Sequence, residues 1–202
     1  MRACWAGSVR LRVDRLRSAQ AGPFSFAVPA GGCLAVTGPS GSGKSLLLRM
    51  IADLDPHEGD AWLDGIAQSA TPAPAWRRQV GLAPAEPGWW LERVGGHFDG
   101  QPPDAAALGL PPDIWEREVA RCSTGERARL AVLRALAGNP RVLLLDEPTG
   151  ALDGAATAAV EALMTARRAA GLAVVLVTHD PAQAARLGSA WMHMDAGRLH
   201  PA

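Results

Sequence analysis

The chain has 202 residues, 48% of them hydrophobic, and its 20 basic residues balance 20 acidic ones. That length suits one domain with an ordinary core. A nucleic-acid binder usually carries a basic excess or stripe, so the balance argues against one. No apolar run approaches the roughly 20 residues that span a bilayer. Arg10, Arg12, Arg15 and Arg17 follow the N-terminus with no apolar signal core between them, so a cytosolic location is expected. Cys4, Cys33 and Cys122 are irregularly spaced without a CxxC pair, and read as reduced thiols outside any disulfide or zinc frame. The basic residues are 19 arginines and one lysine, Lys44, and there is no tyrosine. A lone lysine in such a chain marks a place where arginine does not serve.

Residues 9–13 and 24–28 read as an antiparallel pair, with Arg10 and Arg12 alternating outward. Cys33–Thr37 is nearly continuous in apolar residues, as a strand covered on both faces should be, and a helix follows over 44–52. From Pro84 to Arg121 glycine and proline recur, and only short helices fit, over 104–108 and 113–119. Residues 85–121 are therefore expected to form a small loop-rich helical subdomain inserted between core segments 1–84 and 122–202. A helix over 125–137, a strand over 142–145, a helix over 154–170 and a strand over Ala173–Val177 follow. Arg167 and Arg168 meet the negative end of the helix before Gly171 stops it. Asp180-Pro181 starts the next helix, a capping carboxylate before proline at the first helical position. Alternating apolar strands and helices predict an α/β fold with a mostly parallel sheet and an N-terminal antiparallel β subdomain.

Gly38-Pro39-Ser40-Gly41-Ser42-Gly43-Lys44-Ser45 fits G-x-x-x-x-G-K-[ST], between a buried strand and a helix. The glycines let successive backbone N–H groups turn inward around phosphate oxygens, and the helix N-terminus faces the same anion. Lys44 reaches the β- and γ-phosphates as a compact charge where a planar guanidinium fits poorly. Ser45 offers its hydroxyl to Mg²⁺. The strand 142–145 runs into Asp146, suited to orient Mg²⁺ or its waters, and Glu147, which can polarise an attacking water. His179 follows the third buried strand, whereas His57, His97, His193 and His200 read as surface or capping residues. Ligands of open α/β sheets bind at the carboxyl ends of strands, where these three groups converge.

These residues resemble the nucleotide-binding subunits of ABC transporters, along nearly the whole chain. Beside the phosphate loop and the carboxylate strand, Cys122-Ser123-Thr124-Gly125-Glu126 is similar to the signature L-S-G-G-Q. Pro148-Thr149-Gly150-Ala151-Leu152-Asp153 resembles the D-loop, His179 the switch histidine, and Asp64-Gly65 the turn after the second antiparallel strand pair. The resemblance implies an ATPase (P-loop NTPase core) using ATP and Mg²⁺ in a head-to-tail dimer. Each ATP would then lie between one phosphate loop and the facing subunit's Ser123 and Gly125. Glu147 would activate water, and His179 would hold it in line with the γ-phosphate. A separate membrane permease is implied as partner, placing the chain on the cytoplasmic face of the inner membrane. Slow but real hydrolysis is expected.

Four positions depart from the family pattern. No aromatic stands in Asp14-Arg15-Leu16-Arg17, where one normally stacks on adenine, leaving Arg15 or Arg17 to stack and predicting similar use of ATP and GTP. Ala85 occupies the Q-loop glutamine position, with Glu86 beside it. Leu46 replaces a second hydroxyl after Ser45, and the signature keeps its serine and second glycine but not its outer residues. Trp89-Trp90-Leu91 opens the loop-rich region; adjacent residues rarely bury on one face, so either both indoles pack the subdomain or one is exposed for a permease helix. The rival readings are a regulatory nucleotide-binding module with little turnover, a soluble relative acting on DNA or ribosomes, and a nucleotide kinase.

Overall fold

The computed structural model describes residues 8–99 and 103–202; Cys4, Gly100 and Pro102 lie outside them. Strand β1 (Val9–Arg17) buries Leu11 and Val13 and then Leu16, a break in the two-residue alternation. The pairing registers shift there, and Arg15 takes φ +50°, as a bulge that absorbs an extra residue requires. β1 pairs antiparallel with β2 (Phe24–Pro29) and β4 (Glu58–Leu63), and β4 with the short β5 (Ile66–Ala67). Asp64 opens the β4–β5 turn, accepts from Arg10 at 3.1 Å and forms an ion pair with Arg141 at 2.6 Å, which ties this sheet to the other.

The second sheet holds β3 (Cys33–Thr37), β6 (Val80–Ala83), β7 (Val142–Asp146), β8 (Ala173–Val177), β9 (Ala190–Asp195) and β10 (Arg198–Pro201). Its order is β10-β9-β3-β8-β7-β6, parallel except for the β9–β10 hairpin. β3, β7 and β8 are buried at every residue. Side chains alternate between two cores: Leu144 and Val175 face one, Leu143, Leu145, Val174 and Leu176 the other. The first core takes α1 (Lys44–Ile51), Trp76 of α2 (Ala73–Gln79) and the antiparallel sheet. The second takes residues of α3 (Thr124–Ala137), α4 (Gly154–Ala169) and α5 (Pro181–Leu187). The Trp76 indole N–H donates to Ile51 O at 2.8 Å, satisfying a carbonyl that the end of α1 would otherwise orphan.

The sequence expectations hold for the three buried strands and for the helices at 44–52, 125–137 and 154–170, with ends moved by one residue. Asp180 caps α5 by accepting from Ala182 N at 2.8 Å, as its sequence implied. The helix expected over 113–119 does not form. Residues 111–117 make successive turns, with Glu116 N donating to Asp113 O and Arg117 N to Ile114 O, and Glu118 instead bridges to Arg93. The helix expected over 104–108 shrinks to a 3₁₀ turn at Ala106–Leu108. Pro72-Ala73-Pro74 carries no helical signal ahead of α2, although proline is tolerated in a first helical turn. β9 carries no alternation of apolar and polar residues, its side chains being half-buried or exposed except Met194.

Candidate functional site

Strand order sets the site. β8 lies between β3 and β7, so the segments leaving these three strands, with Gly38–Ser45, Glu147 and His179, emerge side by side at one sheet edge. Gly38 follows β3 at φ +146°, and a Cβ there would stand 2.0 Å from Met194 O of β9, so only glycine fits. Gly43 at φ +104° is the last residue before α1 and turns the loop into the helix. The β9–β10 hairpin braces the loop, Gly197 N donating to Ser42 O at 3.0 Å. Trp191 Nε1 donates to Thr37 Oγ1 at 2.9 Å just before Gly38.

Lys44 opens α1 and is buried, its ammonium donating to Gly38 O at 2.8 Å and Pro39 O at 2.7 Å. The amine thus folds back across the mouth of the loop. Ser42 is buried with no partner for its Oγ among the described residues, an orphan that a phosphate oxygen would satisfy. Asp146 is also buried, and this desolvation pushes its carboxyl above the ordinary carboxylate range. The Ser45 hydroxyl beside it opposes that shift; Glu147 adds to it and Lys44 counters it. A desolvated carboxylate beside a hydroxyl is a fitting donor pair for Mg²⁺, which prefers hard oxygen ligands.

Glu147 adopts φ +49°, a strained backbone for a residue with a Cβ, held by its N–H donating to Val177 O at 2.9 Å. The turn aims its carboxylate at His179, with 3.2 Å between Glu147 Oε2 and His179 Nδ1. A cavity of about 410 Å³ opens beside this pair, lined by Ala85, Glu86, Thr124 and Arg127 among others. The small Ala85 side chain, at the position where the family pattern has glutamine, helps leave that space open.

The signature segment is built around a reciprocal cap. Ser123 Oγ accepts from Glu126 N at 3.1 Å, and Glu126 Oε2 accepts from Ser123 N at 2.8 Å. The Ser123 hydroxyl proton stays available to donate. The Ser123 N–H and the Arg117 guanidinium hold the Glu126 carboxyl below its usual range.

Of the two arginines at the adenine position, Arg17 is engaged by Glu58, its Nε donating at 3.0 Å and its Nη2 also in contact. Arg15 points to solvent, 81% exposed at its side chain. His97, read from the sequence as a surface or capping residue, is buried and accepts from two backbone N–H groups. Gln183 belongs to no sequence motif; its Nε2 bridges Thr149 Oγ1 at 2.9 Å and Glu161 Oε1 at 3.1 Å, fixing the Pro148–Asp153 turn to α5 and α4. Such partners lie 22 or more residues apart in sequence, where local motifs carry no signal.

Among the described residues no helix is long and apolar enough to cross a membrane. A family model described as "ABC transporter" matches residues 22–150. The chain is 34% identical over 193 residues to the "Fe(3+) ions import ATP-binding protein FbpC" of Pseudomonas fluorescens, covering 87% of this chain and 54% of that one. It is 37% identical over 195 residues to "Aliphatic sulfonates import ATP-binding protein SsuB 2" of Agrobacterium fabrum, covering 87% and 70%. The chain thus spans about half the length of the first relative. The fold superimposes with a TM-score of 0.81 on an ATP-binding cassette dimer in a post-hydrolysis state with ADP and Pi, at 23% identity, covering 95% of this chain and 98% of that one. With the phosphate loop, the carboxylate strand and the signature on one fold, the chain belongs to the ABC transporter family, as one of its ATP-binding domains.

Proposed function

We propose that this chain is the ATP-hydrolysing subunit of an ABC transporter and powers a separate membrane permease from the cytoplasmic face. The observation that carries the reading is the convergence of Lys44, the Ser45–Asp146 pair and the Glu147–His179 pair at three adjacent strand ends. Lys44 leaves the carbonyls of Gly38 and Pro39 for the β- and γ-phosphates, while the loop N–H groups and Ser42 Oγ take phosphate oxygens. Ser45 and Asp146 would hold Mg²⁺, which would neutralise charge on the transferring phosphate. Glu147 accepts a proton from the attacking water, and His179, braced on Glu147, aligns that water with the γ-phosphate.

The facing subunit of a head-to-tail dimer completes the site: its Ser123 hydroxyl and the N–H groups at the start of α3 donate to the γ-phosphate. Dimerisation is supported by the dimeric state of the similar cassette. Arg15, held only by a long 3.9 Å ion pair with Asp14 where Arg17 is engaged by Glu58, is the better candidate to lie on the base. A stacked cation discriminates little between purines, so ATP and GTP should be used alike.

The described residues of 85–121 belong to the inserted subdomain that meets the permease. Trp90 is 69% exposed while Trp89 packs against the second core, so Trp90 is the docking indole of the two. The two relatives are named for unlike cargoes, ferric iron and aliphatic sulfonates, which fits cargo choice residing in the permease. Phosphate release by the purified chain, measured beside Glu147→Gln, tests the reading. It requires turnover in the native chain that the variant lacks; nucleotide binding without Glu147-dependent turnover would favour a regulatory module instead.

A further inference from the structure

Among the described residues of 88–123 there is no α-helix, and discrete hydrogen bonds hold their shape. At one end, Trp90 N and Leu91 N both donate to His97 Nε2, each at 3.0 Å. A ring nitrogen that accepts two N–H groups carries no proton, so the proton sits on Nδ1, which donates to Arg93 O at 3.1 Å. The rings of Trp89 and Trp90 meet the imidazole edge-on at 4.9 and 4.7 Å. Arg93 then pairs with Glu118 in an antiparallel bridge, flanked by Val94 N to Arg117 O at 3.0 Å and Val119 N to Glu92 O at 2.8 Å.

The bridge delivers Arg117 to the signature. Its Nη1 donates to Glu126 Oε1 at 2.9 Å while its Nη2 holds Asp113 at 3.1 and 3.2 Å. The other oxygen of the same Glu126 carboxylate takes Ser123 N. Arg117 and Glu126 are largely shielded, with side chains 27% and 17% exposed. One planar guanidinium spanning two carboxylates fixes direction as well as distance.

We propose that His97 and Arg117 are positioning residues, the two joints of a hydrogen-bonded strut that couples the exposed Trp90–Leu91 segment to Ser123. Displacing the indole segment shifts the Arg93–Glu118 bridge through His97, and Arg117 passes that shift to the Glu126 carboxylate and so to the Ser123 cap. The proposal rests on the proposed function for its use, since only then do Trp90 and Ser123 face a permease and a γ-phosphate. A second route exists: Arg134 of α3 lies over Trp89 at 4.3 Å and Trp90 at 5.0 Å and donates to Gly88 O at 2.9 Å. That contact enters α3 near its far end and bypasses Arg117.

Backbone amide spectra of the full chain separate the two routes. His97→Phe keeps a ring and removes both of its hydrogen-bonding nitrogens. It should shift the Ser123 and Glu126 amide signals, and the same change in an Arg117→Met chain should leave them unmoved. Arg117→Lys keeps the charge but not the fork, so it should give a reduced response and serves if the Met variant fails to fold. An equal response with and without the Arg117 guanidinium, or no response in the native background, overturns the strut. The spectra need no turnover: an inactive chain would sink the proposed function alone, and unmoved signals in an active ATPase would sink the strut alone.

Discussion

Replacing Ser123 separates its structural role from its chemical one. Its hydroxyl accepts from Glu126 N at 3.1 Å, and Ser123→Ala removes that bond. The reverse half of the cap survives, because Ser123 N still donates to Glu126 Oε2. Loss of one N-cap acceptor costs about 1 kcal/mol, which in a domain of this size lowers Tm by roughly 2–4 °C. Ser123→Asp supplies an equally good cap acceptor at a helix N-terminus that favours negative charge, so its Tm should stay within about 1 °C of the native chain. Hydrolysis should rank the variants differently. Alanine loses one donor to a charged phosphate, worth about 1.5–3 kcal/mol, or roughly 10- to 150-fold in turnover. Aspartate loses the donor and sets a carboxylate against the γ-phosphate, so it should fall below alanine. Thermal melts and phosphate release at saturating nucleotide measure both orders. If Ser123→Asp turns over like the native chain, Ser123 is a helix cap and nothing more.

Three further outcomes follow from the same geometry. Burial raises the Asp146 carboxyl, so the fold binds its proton more tightly than the unfolded chain and loses stability as pH rises through that group's titration. Asp146→Asn should therefore raise the Tm of the nucleotide-free chain at neutral pH, by about 0.5–2 kcal/mol of stability, while abolishing magnesium-dependent turnover; a lowered Tm in calorimetry counts against this. Glu126 shifts the opposite way, its carboxyl lowered below 4.5, so its contribution is present above 4.5 and lost as pH falls through its folded value. Denaturant melts between neutral and acid pH should show a shallower acid-side loss for Glu126→Gln than for the native chain. Trp90→Ala should cost less Tm while abolishing capture of the permease, whereas Trp89→Ala should cost at least about 1 kcal/mol more through the burial that only Trp89 has. Equal thermal effects of the two would contradict the division of labour.

The legible parts of this chain are those in which chemistry is encoded locally. Cys33–Thr37 and Ala173–Val177 read as buried strands because both faces need apolar side chains, and the phosphate loop reads as such because its glycines and single lysine sit within eight positions. The adjacency of the three strand ends could be expected only as convergence; the β3-β8-β7 order that produces it is a property of the whole sheet. Residues 85–121 were legible as irregular but not as a bridge between Arg93 and Glu118, whose partners are far apart in sequence and carry no shared pattern. His97 failed for a related reason. A histidine's surroundings decide whether it is a solvated side chain or a buried acceptor of two N–H groups, and those surroundings fold in from Trp90 and Arg93.

The most direct test is the nucleotide affinity of Lys44→Ala, measured by titration calorimetry with ATP beside the native chain. Removing the ammonium that now rests on Gly38 O and Pro39 O should weaken binding by about 10- to 150-fold, the value of one or more charge-assisted hydrogen bonds. An unchanged dissociation constant in a variant that melts like the native chain would mean that the triphosphate is held elsewhere.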